Sequence, residues 1–333
     1  MAVTKGAKLL DTYIFLPLFN VHIDEKVLNR RIHGIKFITA KTYTEKYKPL
    51  LTKNPFANRE TTLDRDIFIQ QGALLMQPVT DYLLVRKIKL PNATDQKTSD
   101  ECNNILKTEY NWLIHFIIAC RLYKTGDIQV NSVYTISQKT FICHTLGVCT
   151  PLDYIWPREP HAKKFWQRYS IDKNDIKNIF RYEQNYLLAN KEMLMPVKYF
   201  MQYYSATDLF DKIVKLAIVW ETTLLNGESS ELNYKLKIRG SRLFKYDISQ
   251  ILGLAYSVRS EILHTGKLKD STNKKLKAQT NCDDKTDALW AFTIQYLEEI
   301  TREIIIVFLR SRQPLADTAK QIDQEIFEGF RKK

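Results

Sequence analysis

The rhythm of apolar and polar positions changes partway along the chain. In the first half, short runs dominate. Tyr13 to Ile23 and Asp81 to Leu90 are rich in β-branched and aromatic residues and read as strands, with Pro91-Asn92 ending the second. Gly34 to Tyr43 is a further strand candidate, and Ile128, Val130, Ser132, Tyr134 and Ile136 mark an alternating run. One helix interrupts them: Ser99 opens it, Glu101 lies in its first turn, and it runs through Trp112 and Phe116 to Arg121. From Asp172 onward the period is helical, with segments expected near 173–190, 206–226, 231–245, 247–264, 285–311 and 315–328. Asp208 and Asp247 stand near helix starts, and Gly227 and Gly266 follow helix ends.

Between the two patterns, Pro151 to Pro160 carries three prolines and cannot be regular helix. The expected organisation is therefore α+β: a mixed α/β domain over residues 1–165, then an all-α, up-down helical bundle over 171–333. Gly266 to Gln279 breaks the helical pattern. With Lys267, Lys269, Lys274, Lys275 and Lys277 around Asp270-Ser-Thr-Asn273, it reads as a loop.

Composition narrows the setting. The most apolar stretch, Ala288 to Leu309, is broken by Glu298, Glu299, Arg302 and Glu303, so no membrane span is expected; the opening residues lack the apolar core of a signal peptide. Five cysteines without a disulfide-like spacing point to a reducing cytoplasm. Cys143-His144 with Cys149 resembles half a metal site, but zinc needs about four ligands and no second half lies nearby, so no metal or other cofactor is expected. The net charge is +13, and residues 1–170 hold 24 basic against 15 acidic residues, so most of the excess lies in the first half. Such a balance suits a polyanionic partner, although a merely solvated basic surface is the commoner explanation of any one patch.

The chemistry concentrates at Tyr256-Ser-Val-Arg259-Ser260-Glu-Ile-Leu-His264-Thr-Gly266. Gly266 can close a helix, which leaves His264 in its last turn, where the carbonyl end favours a protonated imidazole. Arg259 carries a permanent charge and a planar donor fork suited to phosphate oxygens. Five positions correspond to about 140° of helix rotation, so the two meet only if the last turn tightens or the arginine wraps round. The bland reading is a helix-stabilising His beside an Arg paired with Glu261. Lys235, Lys237, Arg239 and Arg242 form a second basic strip; Tyr199, Phe200, Tyr203 and Tyr204 could stack bases, but aromatics at helical spacing are more often core and are read so here.

Tyr256-x-x-Arg259-Ser260-x-Ile262-x-His264-x-Gly266 resembles the signature of the HEPN superfamily, in its Apea-like branch. Lys215 to Leu225 resembles that family's earlier helix, with Glu221 in place of its acidic residue, and Leu232 to Phe244 resembles the helix between. Ser260 departs from the Asn or Asp that many relatives have after the Arg, and no Tyr follows His264 up to Asp270. The resemblance implies a HEPN-like bundle and a metal-independent endoribonuclease. His264 would shuttle the proton of a ribose 2′-hydroxyl, Arg259 would stabilise charge on phosphorus and Glu221 would orient either, with Tyr256 and Ser260 in support. It implies RNA as partner, for which the basic residues Lys267, Lys269, Lys274, Lys275, Lys235, Arg239 and Arg242 are the binding candidates by charge and position. It also implies a homodimer through the helical domain, an accessory defence or antitoxin protein and a bacterial antiphage or toxin role. The alternative is a non-catalytic HEPN module that binds RNA or scaffolds a complex.

Overall fold

The computed structural model describes residues 9–47, 82–92, 96–126, 128–130, 132–137, 141–145, 168–206, 208–226, 228, 230–244 and 247–331. The fold is α+β, an antiparallel sheet region followed by a mostly helical part. The described chain forms two compact units that part inside one helix: residues up to Phe180, save Leu122–Thr125, belong to the first, and those from Arg181 onward to the second. The proline-rich stretch from Pro151 to Pro160 lies outside the described residues. Phe180 falls in the first unit because its ring packs 4.3 Å from His33 and 6.3 Å from Trp112, centroid to centroid.

In the first unit, strands β1 (Leu9–Leu18), β3 (Arg31–Ile32), β4 (Ile35–Thr39), β5 (Tyr82–Pro91), β6 (Ser132–Ser137) and β7 (Phe141–Thr145) form one sheet in the order β3-β4-β5-β1-β6-β7. All of its pairings are antiparallel. A separate parallel pair joins β2 (Val21–Ile23) to β8 (Tyr169–Ile171). β1 is central, with Phe15 opposite both Val85 and Tyr134. Its apolar run from Ile14 to Leu18 is buried on both faces, because each face of the sheet carries a helix. Helix α1 (Ala40–Lys46) supplies Tyr43 to one side, edge-on against Phe15 at 5.1 Å. Helix α2 (Gln96–Tyr123) covers the other, where Phe116 meets Phe37 and Tyr110 bonds Thr135 at 2.8 Å. Burial there holds the His115 pKa below its ordinary value.

The strand expected over Gly34 to Tyr43 stops at Thr39, because the Thr39 hydroxyl accepts the Thr42 amide at 3.2 Å and caps α1. The run Tyr13 to Ile23 is also two strands, β1 and β2, with Asn20 between them at a φ of 54°.

Beyond α3 (Lys173–Leu187), the second unit contains α4 (Leu194–Ser205), α5 (Leu209–Thr223), α6 (Leu232–Leu243), α7 (Ser249–Thr265), α8 (Asp270–Thr280), α9 (Lys285–Phe292), α10 (Glu298–Ser311) and α11 (Leu315–Arg331). A π-helical turn, Thr293–Leu297, joins α9 to α10 within the segment expected as one helix. α5 packs against α4, α7, α10 and α11. Asp208 caps it by accepting the Asp211 amide at 2.9 Å, and Trp220 locks its register by donating Nε1–H to Thr301 at 2.7 Å. α4 forms where no helix was expected, from the aromatic stretch. Phe200, Tyr203 and Tyr204 are buried, and the two tyrosine hydroxyls donate to Glu298 at 2.8 and 2.9 Å. Arg302 pairs with the same carboxylate. These rings are core, not a base-stacking platform.

Candidate functional site

Helix α7 carries the Arg259–His264 string. Leu252, Ala255, Val258 and Ile262 bury its inner face, which fixes where the remaining positions point. Gly240 lets α6 approach: a Cβ there would stand 2.2 Å from Leu252 Cδ1. At the far end Gly266 takes a φ of 65°, and its amide donates to Ile262 O at 2.9 Å. The Thr265 hydroxyl lies 2.7 Å from Glu261 O and 2.8 Å from Lys267 O, closing the same turn.

Arg259 and Glu221 form an ion pair across α7 and α5, with 21% and 30% of their side chains exposed. A fixed cation is thus held by a neighbouring carboxylate while remaining open to a ligand. Trp220, anchored to Thr301, sets the rotation of α5 that aims Glu221 at α7. His264 is exposed in the last turn. α7 keeps its α-helical bonding to Gly266, so the last turn does not tighten, and the Arg259 head turns to Glu221. Among the described residues no hydrogen bond or ion pair joins Arg259 to His264. Tyr256 and Ser260 are half-buried on the flanks of the same helix.

Glu261 is not the partner of Arg259. Its carboxylate accepts the Lys269 amide and the Thr272 hydroxyl, both at 2.7 Å, and so ties the start of α8 to α7. This overturns the expected loop over Gly266 to Gln279. Leu268, Thr272 and Leu276 recur every four residues and are buried, so the lysine-rich segment folds on an inner stripe as α8. Lys267, Lys269, Lys274 and Lys275 stay exposed.

The strip on α6 divides. Arg239 is 5% exposed: it donates to Asp323 at 2.7 and 2.6 Å, to Glu228 at 2.7 Å and to Leu224 O at 2.5 Å. With its fork so occupied it is an interior strut, which corrects its expected role in binding RNA. These acids hold the Arg239 pKa above its usual value, Asp323 most strongly. Lys235 pairs with Glu228, and the half-exposed Arg242 pairs with Glu325 at 3.4 Å. The Glu228 carboxyl is held below the ordinary carboxylate value by Lys235 first and Arg239 second.

A groove of about 360 Å³ adjoins Gly266, with Lys267, Lys285, Phe210 and Trp290 on its walls. Among the described residues no cluster of three or more His, Cys, Asp or Glu could hold a metal ion. Cys149 and the side chains of Cys143 and His144 lie outside the described residues. No helix among the described residues is long and apolar enough to cross a membrane.

No protein-family model, curated protein or solved structure matches this chain.

Proposed function

We propose that this chain is a metal-independent endoribonuclease of the HEPN type, and that its site is completed when two helical units pair. The observation that carries the reading is the partly exposed Arg259–Glu221 pair on a helix whose last turn presents an exposed His264. Arg259 supplies charge where negative charge builds on the phosphorane, and Glu221 restrains its rotation. His264 accepts the 2′-hydroxyl proton in one chain or gives a proton to the leaving 5′-oxygen in the other. Because Arg259 and His264 diverge around α7, one chain alone does not converge them, and a second copy is the natural complement. RNA is the substrate, since only a 2′-hydroxyl offers an internal nucleophile. The role suggested by the resemblance is bacterial antiphage defence or a toxin, in the cytoplasm and with an accessory protein.

The same divergence favours a second reading, a HEPN module that binds RNA without cutting it. One experiment separates them. The full chain is incubated with mixed RNAs in excess EDTA, and the cleaved ends are identified. The nuclease reading expects 2′,3′-cyclic phosphate ends and a loss of roughly 10²-fold or more in His264→Ala. Arg259→Lys should also lose most of the rate, because a point charge does not replace the planar fork. RNA binding without cleavage supports the second reading. Cleavage unchanged in His264→Ala refutes the first.

A further inference from the structure

Helices α6, α7 and α8 enclose an open groove of about 540 Å³ that the Arg259 and His264 chemistry does not use. Its polar wall is built by Asn233, Lys237, Gln250, Ser257, Thr272, Lys275 and Gln279, and no carboxylate occurs among the described residues that line it. The surrounding surface is different. On α6, Lys235, Arg239 and Arg242 each meet an acid, whereas among the described residues neither Lys237 nor Lys275 has a carboxylate partner.

Lys237 reaches the groove through a gap in the facing helix. A Cβ at Gly253 would stand 2.3 Å from Lys237 Cε and 2.9 Å from its Nζ, so the lysine stem occupies space that any other residue would fill. Glycine inside a helix is destabilising relative to alanine, and here the missing methyl lets an ammonium lie along the groove. Ser257 donates its hydroxyl proton to Gly253 O at 3.0 Å, which leaves its oxygen as an acceptor. Asn233 Oδ1 has no hydrogen-bond partner among the described residues. The amides of Asn233, Gln250 and Gln279 each combine donors with an acceptor.

One carboxylate borders the groove, Glu261 at Thr272, and it is already engaged by the Thr272 hydroxyl and the Lys269 amide, so the two ammonium groups are left to select an anion. The space is within the range of roughly 300–1,000 Å³ typical of small-ligand pockets, well beyond an inorganic phosphate. Side-chain amides match the mixed donor and acceptor edges of a base and the hydroxyls of a ribose. We propose that this groove binds one nucleoside phosphate unit, its phosphate at Lys237 and Lys275 and its nucleoside along the amides. Two sources share that chemistry: a free nucleotide, and one unit of a single RNA strand. Gln250, Ser257 and His264 recur every seven residues and so share a face of α7, which would lead a strand from the groove toward His264. Binding here stands whether or not the chain cuts RNA.

The test is direct binding to the full chain, by calorimetry at ~0.1 M salt. The probes are the nucleoside 5′-monophosphates, inorganic phosphate and a 2′-O-methyl hexanucleotide that cannot be cleaved. Saturable binding of a nucleotide probe, tighter than phosphate, is expected. It should weaken roughly tenfold or more when Lys237→Gln is combined with Lys275→Gln. Gly253→Ala should weaken it too: it displaces the Lys237 stem, keeps every charge and raises helix propensity, and a melting curve confirms that the variant folds. Monophosphates that bind and respond to the variants identify a free nucleotide; a response confined to the hexanucleotide identifies a strand. Absence of saturable binding by every nucleotide probe overturns the proposal. So does phosphate binding as tightly as the nucleotides, or affinity unchanged in both variants.

Discussion

Replacing Glu298 with alanine removes the acceptor that three buried donors share. Tyr203 and Tyr204 donate to its two oxygens at 2.8 and 2.9 Å, and Arg302 pairs with it from the next turn of α10. Glu298 is 4% exposed and Arg302 2%, so water does not replace the missing acceptor without opening the core. Breaking a buried ion pair from one side costs about 3–5 kcal/mol, because the surviving charge is left uncompensated. The expected total is ~4 kcal/mol, a large share of the roughly 5–15 kcal/mol that holds an ordinary domain folded. With a urea slope of about 2 kcal/mol/M, the helical transition should move down by ~2 M. Urea titration of the full chain, followed by helix circular dichroism, measures this, with the two units allowed separate transitions. Glu298→Met combined with Arg302→Met removes both charges and should recover most of the stability. A shift below ~1 kcal/mol in Glu298→Ala, or a double variant no better than the single, would refute the reasoning.

Three further outcomes follow, two from the paired cations and one from the exposed lysines of α8 and its approach. Glu228 has a lowered folded-state pKa, so its stabilising contribution is complete above its ordinary carboxylate value and is lost as pH falls through the lowered one. The gap in urea midpoint between wild type and Glu228→Gln should therefore be widest near neutral pH and narrow below about pH 4; a constant gap would contradict the pairing. Arg239→Gln should destabilise the helical unit by ~3 kcal/mol and leave the salt dependence of RNA binding unchanged. Lys269→Gln with Lys274→Gln should do the reverse, flattening the log–log salt slope by about 0.7 for each phosphate that is no longer neutralised. A slope change in Arg239→Gln, measured by anisotropy over a salt series, would return that residue to the RNA-facing surface.

What the sequence determined by itself is local. Asp208 and Gly266 mark a helix start and a helix end because caps and positive φ values are properties of a few neighbouring residues. The β-branched and aromatic run of β1 and the long apolar period of α2 likewise depend on near neighbours, and so does the angle between Arg259 and His264 around α7. The tertiary structure decided which polar groups face inward. Arg239 reads as part of a basic strip until Asp323, far along the chain, reaches it. Glu298 and Arg302 look like charges that interrupt an apolar stretch until Tyr203 and Tyr204 supply partners that make their burial tolerable. Five lysines between Gly266 and Gln279 conceal a helix, because it buries only Thr272, Asn273 and Leu276, behind Leu268, and its first turn is held by Glu261 from another helix. The resemblance offers Glu221 to either Arg259 or His264, and local spacing offers Glu261 to Arg259; the choice depends on how α5 is rotated against α7. Spacing along one helix carries no information about that rotation; the packing of Trp220 against Thr301 sets it.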